Sequence, residues 1–267
     1  MIEKMNAAAE PDVFKHSPKV CNAKEAAQYL IGKKKVAILT GAGISAASGI
    51  PTFRGQDGFW KDAKNYAGEK DPMVVMTLEF FAKHPEANWE WHYDFLKLMR
   101  DKDVKVNKGH VAVNEFMEYC ALSQDKDPNS QVESLLITQN IDDLHNRLVR
   151  QSKILMKTQD KYFVKTKNNE QAFTPHVYEV HGAVRYMHCV EQEKECGKLI
   201  IPGPTLAEAE EYQVKNNRTL VPTCADCGKN MKPHSMFFDE AYNEEYYRYT
   251  TVNDFISESD CLIVIGT

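Results

Sequence analysis

The run KVAILT at 35–40 passes directly into the small residues of GAGISAASGIPTFRG at 41–55. Five apolar or β-branched positions after Lys35, without polar alternation, form the pattern of a strand buried on both faces, which implies a parallel sheet covered by helices. Gly41, Gly43 and Ala46 fit the spacing G-x-G-x-x-G/A immediately after that strand. The first glycine permits a tight turn. The second lets the backbone come very close to something, and a pyrophosphate at the N-terminus of the next helix suits that space. A plain glycine turn between strand and helix has the same letters, so the spacing alone leaves both readings open.

The remaining chain repeats the strand-then-helix order. ESLLITQN (133–140), HVYEVHG (176–182) and CLIVIG (261–266) read as strands. Residues 22–32, 72–84, 86–99, 110–120, 141–150 and 244–259 read as helices. Such alternation predicts an α/β fold with a mainly parallel sheet. Residues 1–20 read as a loose polar arm, 123–130 as a turn-rich loop and 157–170 as a polar surface excursion. With 267 residues, 43% hydrophobic, the chain can bury one large core or two smaller ones. No apolar run reaches the ~20 residues that cross a bilayer, so no membrane partner is expected. The first residues lack a basic start followed by an apolar stretch, which argues against a secretory signal. A net charge of −5 gives no reason to expect direct nucleic-acid binding. Seven cysteines without such a signal point to a reducing, intracellular compartment, cytoplasm or nucleus, where thiols and metal come before disulfides.

An ordinary dinucleotide fingerprint wants a second strand ending in an acidic residue ~20 positions on. That window holds GQDGFWKDAKNY, which is not strand-like, so a simple dehydrogenase is disfavoured. SGIPTFRG follows the glycines instead. Pro51 stiffens the segment that carries Thr52, Phe53 and Arg54; arginine can pair with a phosphate or ribose, and phenylalanine can cover a flat ring. Gln139, Asn140 and Asp142 lie at a strand end, where α/β folds bind ligands, although Asn and Asp there equally serve as helix caps. His181 ends another strand, and a histidine there is either a plain strand-end residue or, with its near-neutral pKa, a general base. His145 reads as a packing residue. Cys224 and Cys227, in C-A-D-C-G, form half of a structural zinc site. Cys189 and Cys196, separated by six residues, offer the other half, with His188 as the alternative ligand. Cys21, Cys120 and Cys261 read as packing residues.

Taken in order, GAGIS, SGIPTFRG, TQNIDDLH (138–145), VHG (180–182), the paired cysteines and IGT (265–267) closely resemble the signature of the sirtuins, NAD-dependent protein deacylases. The resemblance spans roughly residues 30–267. It implies a Rossmann-like parallel sheet with a helical insertion at about 60–105 and a small zinc module at about 183–233, within a catalytic domain over 22–267 preceded by an arm at 1–21. It implies that NAD is held by Gly41, Ala42, Gly43, Ser45, Thr52, Phe53, Arg54, Gln139, Asn140, Asp142, Gly266 and Thr267. It makes His181 and Asn140 catalytic, assigns Zn2+ to Cys189, Cys196, Cys224 and Cys227, and places Phe237 and Phe238 against an acyl-lysine protein substrate. In the implied reaction the acyl oxygen displaces nicotinamide at the ribose C1′. His181 then takes a proton from a ribose hydroxyl, and the products are free lysine and O-acyl-ADP-ribose. The family also continues beyond G-T, so the sheet is expected to lack its C-terminal part here.

The chain departs from the family in three places. RLVR replaces a small-residue pair after the Q-N-I-D helix. KPHSMFFDEAY replaces P-x-V-V-x-F-G-E, so that Ser235, Met236 and Asp239 stand for two valines and a glycine. No arginine occurs in 89–97, where acidic-acyl-selective members carry Tyr-x-x-Arg. Removal of a short neutral acyl group, acetyl foremost, is therefore expected. Mono-ADP-ribosyl transfer and a catalytically weak NAD-binding regulator are the alternatives, and the oligomeric state is left open.

Overall fold

The computed structural model describes residues 22–52, 64–126, 132–156, 176–191, 196 and 200–267. The arm at 1–21 with Cys21, the polar excursion at 157–170, and the pair Phe53 and Arg54 lie outside the described residues. The described residues divide into two units, 22–33 and 34–267. In the first, α1 (Ala23–Gln28) starts with a capping box: Glu25 N–H donates to Asn22 Oδ1 at 3.0 Å, and Glu25 Oε2 accepts from Asn22 N–H.

The second unit is built on a parallel sheet of β1 (Lys35–Thr40), β2 (Glu133–Thr138), β3 (Val177–Glu179) and β7 (Cys261–Ile265), in the order β3-β2-β1-β7. The registers align Thr40 with Thr138 on one side and with Ile265 on the other, and Thr138 with Glu179. All four strands therefore finish at one level. The chain winds outward from β1 through β2 to β3 and then returns to place β7 on the other side of β1. The winding reverses beside β1, and in such sheets ligands bind beyond the strand ends at that point.

Between β1 and β2 lie α2 (Ala42–Ala46), α3 (Pro72–Val75), α4 (Leu78–Lys83), α5 (Pro85–Asp101) and α6 (Lys108–Lys126). After β2 comes α7 (Leu144–Gln151), the expected helix, beginning only after the Q-N-I-D turn. A second, antiparallel sheet joins β5 (Ile201–Pro202), β4 (Gly182–Cys189) and β6 (Met231–Ser235), in that order. At the root of β4, Gly182 has φ 83°, and a Cβ there would meet the His234 carbonyl at 2.0 Å, so only glycine fits. The α5 face buries Trp89, Trp91 and Tyr93 in one core with Phe81 and Phe237, and Trp89 Nε1 donates to the Met231 carbonyl at 2.8 Å. That bond satisfies the indole where its ring is fully buried.

Two features differ from the sequence reading. Helix α8 (Leu206–Asn216) lies among the cysteines, opened by a Thr205–Glu208 capping box. The helix expected over 244–259 is two, α9 (Glu244–Tyr247) and α10 (Tyr249–Ser257), because Arg248 sits in the left-handed region at φ 54°. A non-glycine residue there costs of order 1 kcal/mol or more, and it is kept only when surrounding packing requires it.

Candidate active site and metal cluster

The glycine loop closes against the end of β7. Gly41 N–H donates to Ile265 O at 3.0 Å, and Gly43 N–H donates to Gly266 O at 2.7 Å. A Cβ on Gly43 would lie 2.8 Å from Gly266 Cα, backbone against backbone. The close approach foreseen at Gly43 is thus made by the chain's own Gly266, whose φ of 65° is itself in the glycine-favouring region. Ala42 and Thr52 are half-buried at the loop's two ends, and Gly266 and Thr267 are exposed beyond β7. Thr267 Oγ1 donates to Gln139 Oε1 at 2.9 Å.

Beneath this loop lies a buried polar network. Ser45 Oγ donates to Asp142 Oδ2 at 2.6 Å. The same oxygen accepts from Asn140 Nδ2 at 3.1 Å, while that amide also donates to Gly41 O at 3.0 Å. His110 Nε2 stands 3.3 Å from Ser45 Oγ. Its Nδ1 accepts the Asn107 backbone N–H, which leaves Nε2 as the protonated nitrogen and makes it the donor to the serine. Burial holds His110 below its ordinary pKa, and the nearby Asp142 opposes that shift. His145 is buried, 3.1 Å from Thr40 Oγ1 and edge-on to His110 at 4.8 Å; burial pushes its pKa down to about 3. It packs, as its sequence position indicated. Asp142 Oδ1 also accepts the Leu144 N–H at the start of α7. One carboxylate thus serves both the start of α7 and the Ser45 network. His110 was not singled out from sequence, since nothing in HVAVNEFMEYC marks it.

The next residue, Asp143, is also left-handed, with φ 66°. It is held by Arg150 at 2.6 Å and by Arg185, which also pairs with Glu179 at 3.0 Å. Burial lifts Glu179 to about 7, and Arg185 pulls the other way. This ionic knot fixes the turn after β2 to the base of β4.

His181 follows β3 by two residues. Its Nδ1 lies 3.0 Å from the Gln139 carbonyl and its Nε2 lies 2.7 Å from the Tyr242 hydroxyl. A carbonyl can only accept, so Nδ1 carries the proton and Nε2 keeps a lone pair. Burial lowers the pKa of His181, and the Gln139 hydrogen bond partly offsets it. The ring is thus a neutral base of fixed tautomer at the crevice. Tyr242 is a second residue that sequence reasoning missed.

Phe237 is 1% exposed; it packs on Phe81 at 6.3 Å and lies under Lys232 Nζ at 4.0 Å. Phe238 is 47% exposed, and its N–H donates to Met76 O. Asp239 accepts the Leu78 and Glu79 N–H groups at 2.8 and 3.2 Å, capping α4.

The four sulfurs of Cys189, Cys196, Cys224 and Cys227 lie within 4.8 Å of one another, and those of Cys189 and Cys227 are 3.4 Å apart. Four thiolates at ~2.3 Å around a tetrahedral zinc are separated by about 3.8 Å, so the cluster fits that ion. Burial pushes the Cys189 thiol up to about 12; a cation is what would hold such a group as thiolate. His188 is outside the group. Its ring stacks on Tyr246 at 4.4 Å, and its Nδ1 faces His234 Nδ1 at 3.1 Å. Cys120 is buried and Cys261 half-buried.

Comparison with known proteins matches residues 41–156 and 153–267 to the Sir2 family. The chain is 31% identical over 248 residues to the NAD-dependent protein deacylase sirtuin-5, mitochondrial, of Danio rerio, covering 90% of this chain and 68% of that protein. It is 28% identical over 234 residues to an NAD-dependent protein deacylase of Leptospira interrogans, covering 88% and 71%. Among solved structures it resembles a Sir2 homolog–NAD complex, with TM-score 0.60, 25% identity and coverage of 94% and 75%.

Proposed function

From the premise that this chain belongs to the Sir2 family, we propose that it removes short neutral acyl groups, acetyl foremost, from protein lysines while consuming NAD. The observation that carries the reading is His181: a neutral imidazole of fixed tautomer, tied by Nδ1 to the strand end that carries Asn140 and Asp142 and with its Nε2 lone pair met by the Tyr242 hydroxyl. NAD supplies a ribose whose bond to nicotinamide breaks as the acyl oxygen takes its place. The residues of this chain do the rest. Gly41, Ala42, Gly43, Ser45, Gln139, Asn140, Asp142, Gly266 and Thr267 form the dinucleotide-facing wall, with Thr52 beside it; Phe53 and Arg54, assigned to NAD by the family resemblance, lie outside the described residues. Ser45, with its lone pairs and proton all committed, holds Asn140 and Asp142 in place before any ligand arrives, which lowers the ordering cost of binding. Asn140 and His181 are the catalytic pair, and His181 takes up a proton during acyl transfer.

The acyl preference rests on α5. Trp89 and Tyr93 are buried, Leu96 is partly buried, and the cation Lys97 is turned to Asp94 at 3.5 Å. An acidic acyl chain would find no free arginine there, and a desolvated, unpaired carboxylate is costly. Phe238, exposed beside the half-turn that Asp239 anchors, is the side chain offered to the acyl-lysine. We read about 60–105 as the insertion and about 183–233 as a zinc module, within a catalytic domain over 22–267. Four cysteine ligands leave zinc no open position, so its part is structural. Among the described residues no helix is long and apolar enough to cross a membrane, and free thiols suit a reducing compartment, cytoplasm or nucleus.

The test is incubation with NAD and an acetyl-lysine peptide, with mass analysis of peptide and nucleotide products. Free lysine with O-acetyl-ADP-ribose is expected. ADP-ribose attached to the peptide, with the acetyl group intact, would replace this reading with ADP-ribosyl transfer.

A further inference from the structure

The Nε2 lone pair of His181 is not open to the crevice. It is taken by Tyr242, whose hydroxyl lies 2.7 Å away. Since Nδ1 donates to the Gln139 carbonyl, Nε2 is the acceptor and the phenol must be the donor. A hydroxyl of a bound substrate can therefore reach the base in only two ways: it displaces the tyrosine, or it passes its proton through the tyrosine.

The aromatic setting favours the second. The Tyr242 ring lies nearly parallel to Tyr249, at 5.2 Å and 18°, and edge-on to Tyr247, at 6.4 Å and 85°. Tyr247 is 1% exposed and belongs to a buried cluster with Ile200 and Tyr246. Tyr242 is thus braced by two tyrosines while 42% of its surface stays open. Its oxygen still has lone pairs to accept with. The segment before it is fixed as well: Glu240, two residues back, accepts from Lys232 Nζ and from the Phe237 N–H, both at 2.7 Å.

We propose that Tyr242 is the proton relay of this site, standing between a substrate ribose hydroxyl and His181; the proposal rests on the deacylase reading above. In the step, the substrate O–H bond breaks as a new Tyr242 Oη–H bond forms. The original Oη–H bond breaks as Nε2–H forms. One proton moves in total from substrate oxygen to imidazole. The tyrosine ends as it began, and no oxidant or reductant is needed. Among the described residues the groups in contact with the His181 ring nitrogens are the Tyr242 phenol at Nε2 and the Gln139 carbonyl at Nδ1, and Tyr249 stacks on Tyr242.

The test uses Tyr242→Phe, which keeps the ring and its stacking and removes the hydroxyl alone. The first measurement needs no turnover. In the NAD-free protein, 15N–1H correlation of the histidine rings reports the His181 tautomer and titration. A hydrogen bond donated to Nε2 favours the neutral ring, so its removal moves the His181 titration upward. The second compares deacylation with exchange of labelled nicotinamide into NAD in the presence of acetyl-lysine peptide. Loss of the relay lowers kcat for deacylation by about 10-fold, the order of one hydrogen bond. Exchange, which precedes the proton step, and KM for both substrates stay near wild type. Deacylation by Tyr242→Phe at or above the wild-type rate overturns the relay, and so does an unmoved His181 titration. Wild-type protein that exchanges and deacylates nothing overturns the deacylase reading instead, while the ring titration still tests the Tyr242–His181 contact.

Discussion

Lys232 is fully buried on β6, and its ammonium has three partners: Glu240 Oε2 at 2.7 Å, the Ser235 carbonyl at 2.9 Å and the Phe237 ring at 4.0 Å. Glu240 is nearly as deep, its side chain 4% exposed. Burial lowers the lysine's pKa and Glu240 opposes that shift. The substitution Lys232→Met keeps most of the apolar stem but leaves the Glu240 carboxylate uncompensated and the Ser235 carbonyl without its donor. Breaking one side of a buried pair costs about 3–5 kcal/mol. For a domain of this size each kcal/mol is worth roughly 2–4 °C in Tm, so the melt should fall by roughly 6–20 °C. Adding Glu240→Gln removes the orphaned charge and should restore a large part of the loss, because partners in contact are not additive. The assay is thermal unfolding by circular dichroism of the wild type, both single variants and the double variant. A Lys232→Met protein within about 1 kcal/mol of wild type would refute the claim that this pair holds the Phe237–Glu240 turn.

Replacing His181 with Ala should lower deacylation by about 10²–10⁴-fold while NAD still raises the Tm; near-normal turnover would remove the base assignment. Because burial lowers its pKa, His181 stays neutral and able to accept a proton below the ordinary 6.5, so the acidic limb of kcat/KM should fall below that value; a limb above 6.5 contradicts the assignment. Elemental analysis should find one zinc per chain, and Cys196→Ser should lose it; full metal content in that variant would point away from the four-sulfur cluster. An acetyl-lysine peptide should turn over faster than its succinyl counterpart, and the reverse order would overturn the acyl reading.

Much of the fold was legible because its signals are local. KVAILT forms β1 over the whole of 35–40, since an unbroken apolar run can satisfy its backbone and side chains only inside a sheet. The zinc-type knuckle at Cys224 and Cys227 was equally plain, and the six-residue gap between Cys189 and Cys196 proved no obstacle to bringing all four sulfurs together. Helix α8 is announced in the sequence only by Thr205 and Glu208, which form the S/T-x-x-E signature that opens helices. Its apolar periodicity is weak, with only Ala209 buried, so the pattern that marks other helices is missing here.

The crevice was legible from one rule, that ligands sit beyond the ends of parallel strands where the winding reverses. What that rule cannot supply is the set of partners reaching the crevice from elsewhere. His110 meets Ser45 across 65 residues of sequence, and Tyr242 meets His181 across 61. Neither lies in a pattern that periodicity detects. The tyrosine depends further on the break at Arg248, a residue with neither the freedom of glycine nor the fixed ring of proline to announce a turn. With Arg248 left-handed, Tyr249 N–H donates back to Asn243 O, and Tyr249 comes to rest against Tyr242. A continuous helix through 244–259 would carry residue 249 away from 242 along its axis at ~1.5 Å per residue. The environment of the base is therefore set by a single left-handed residue six positions beyond the tyrosine that touches it.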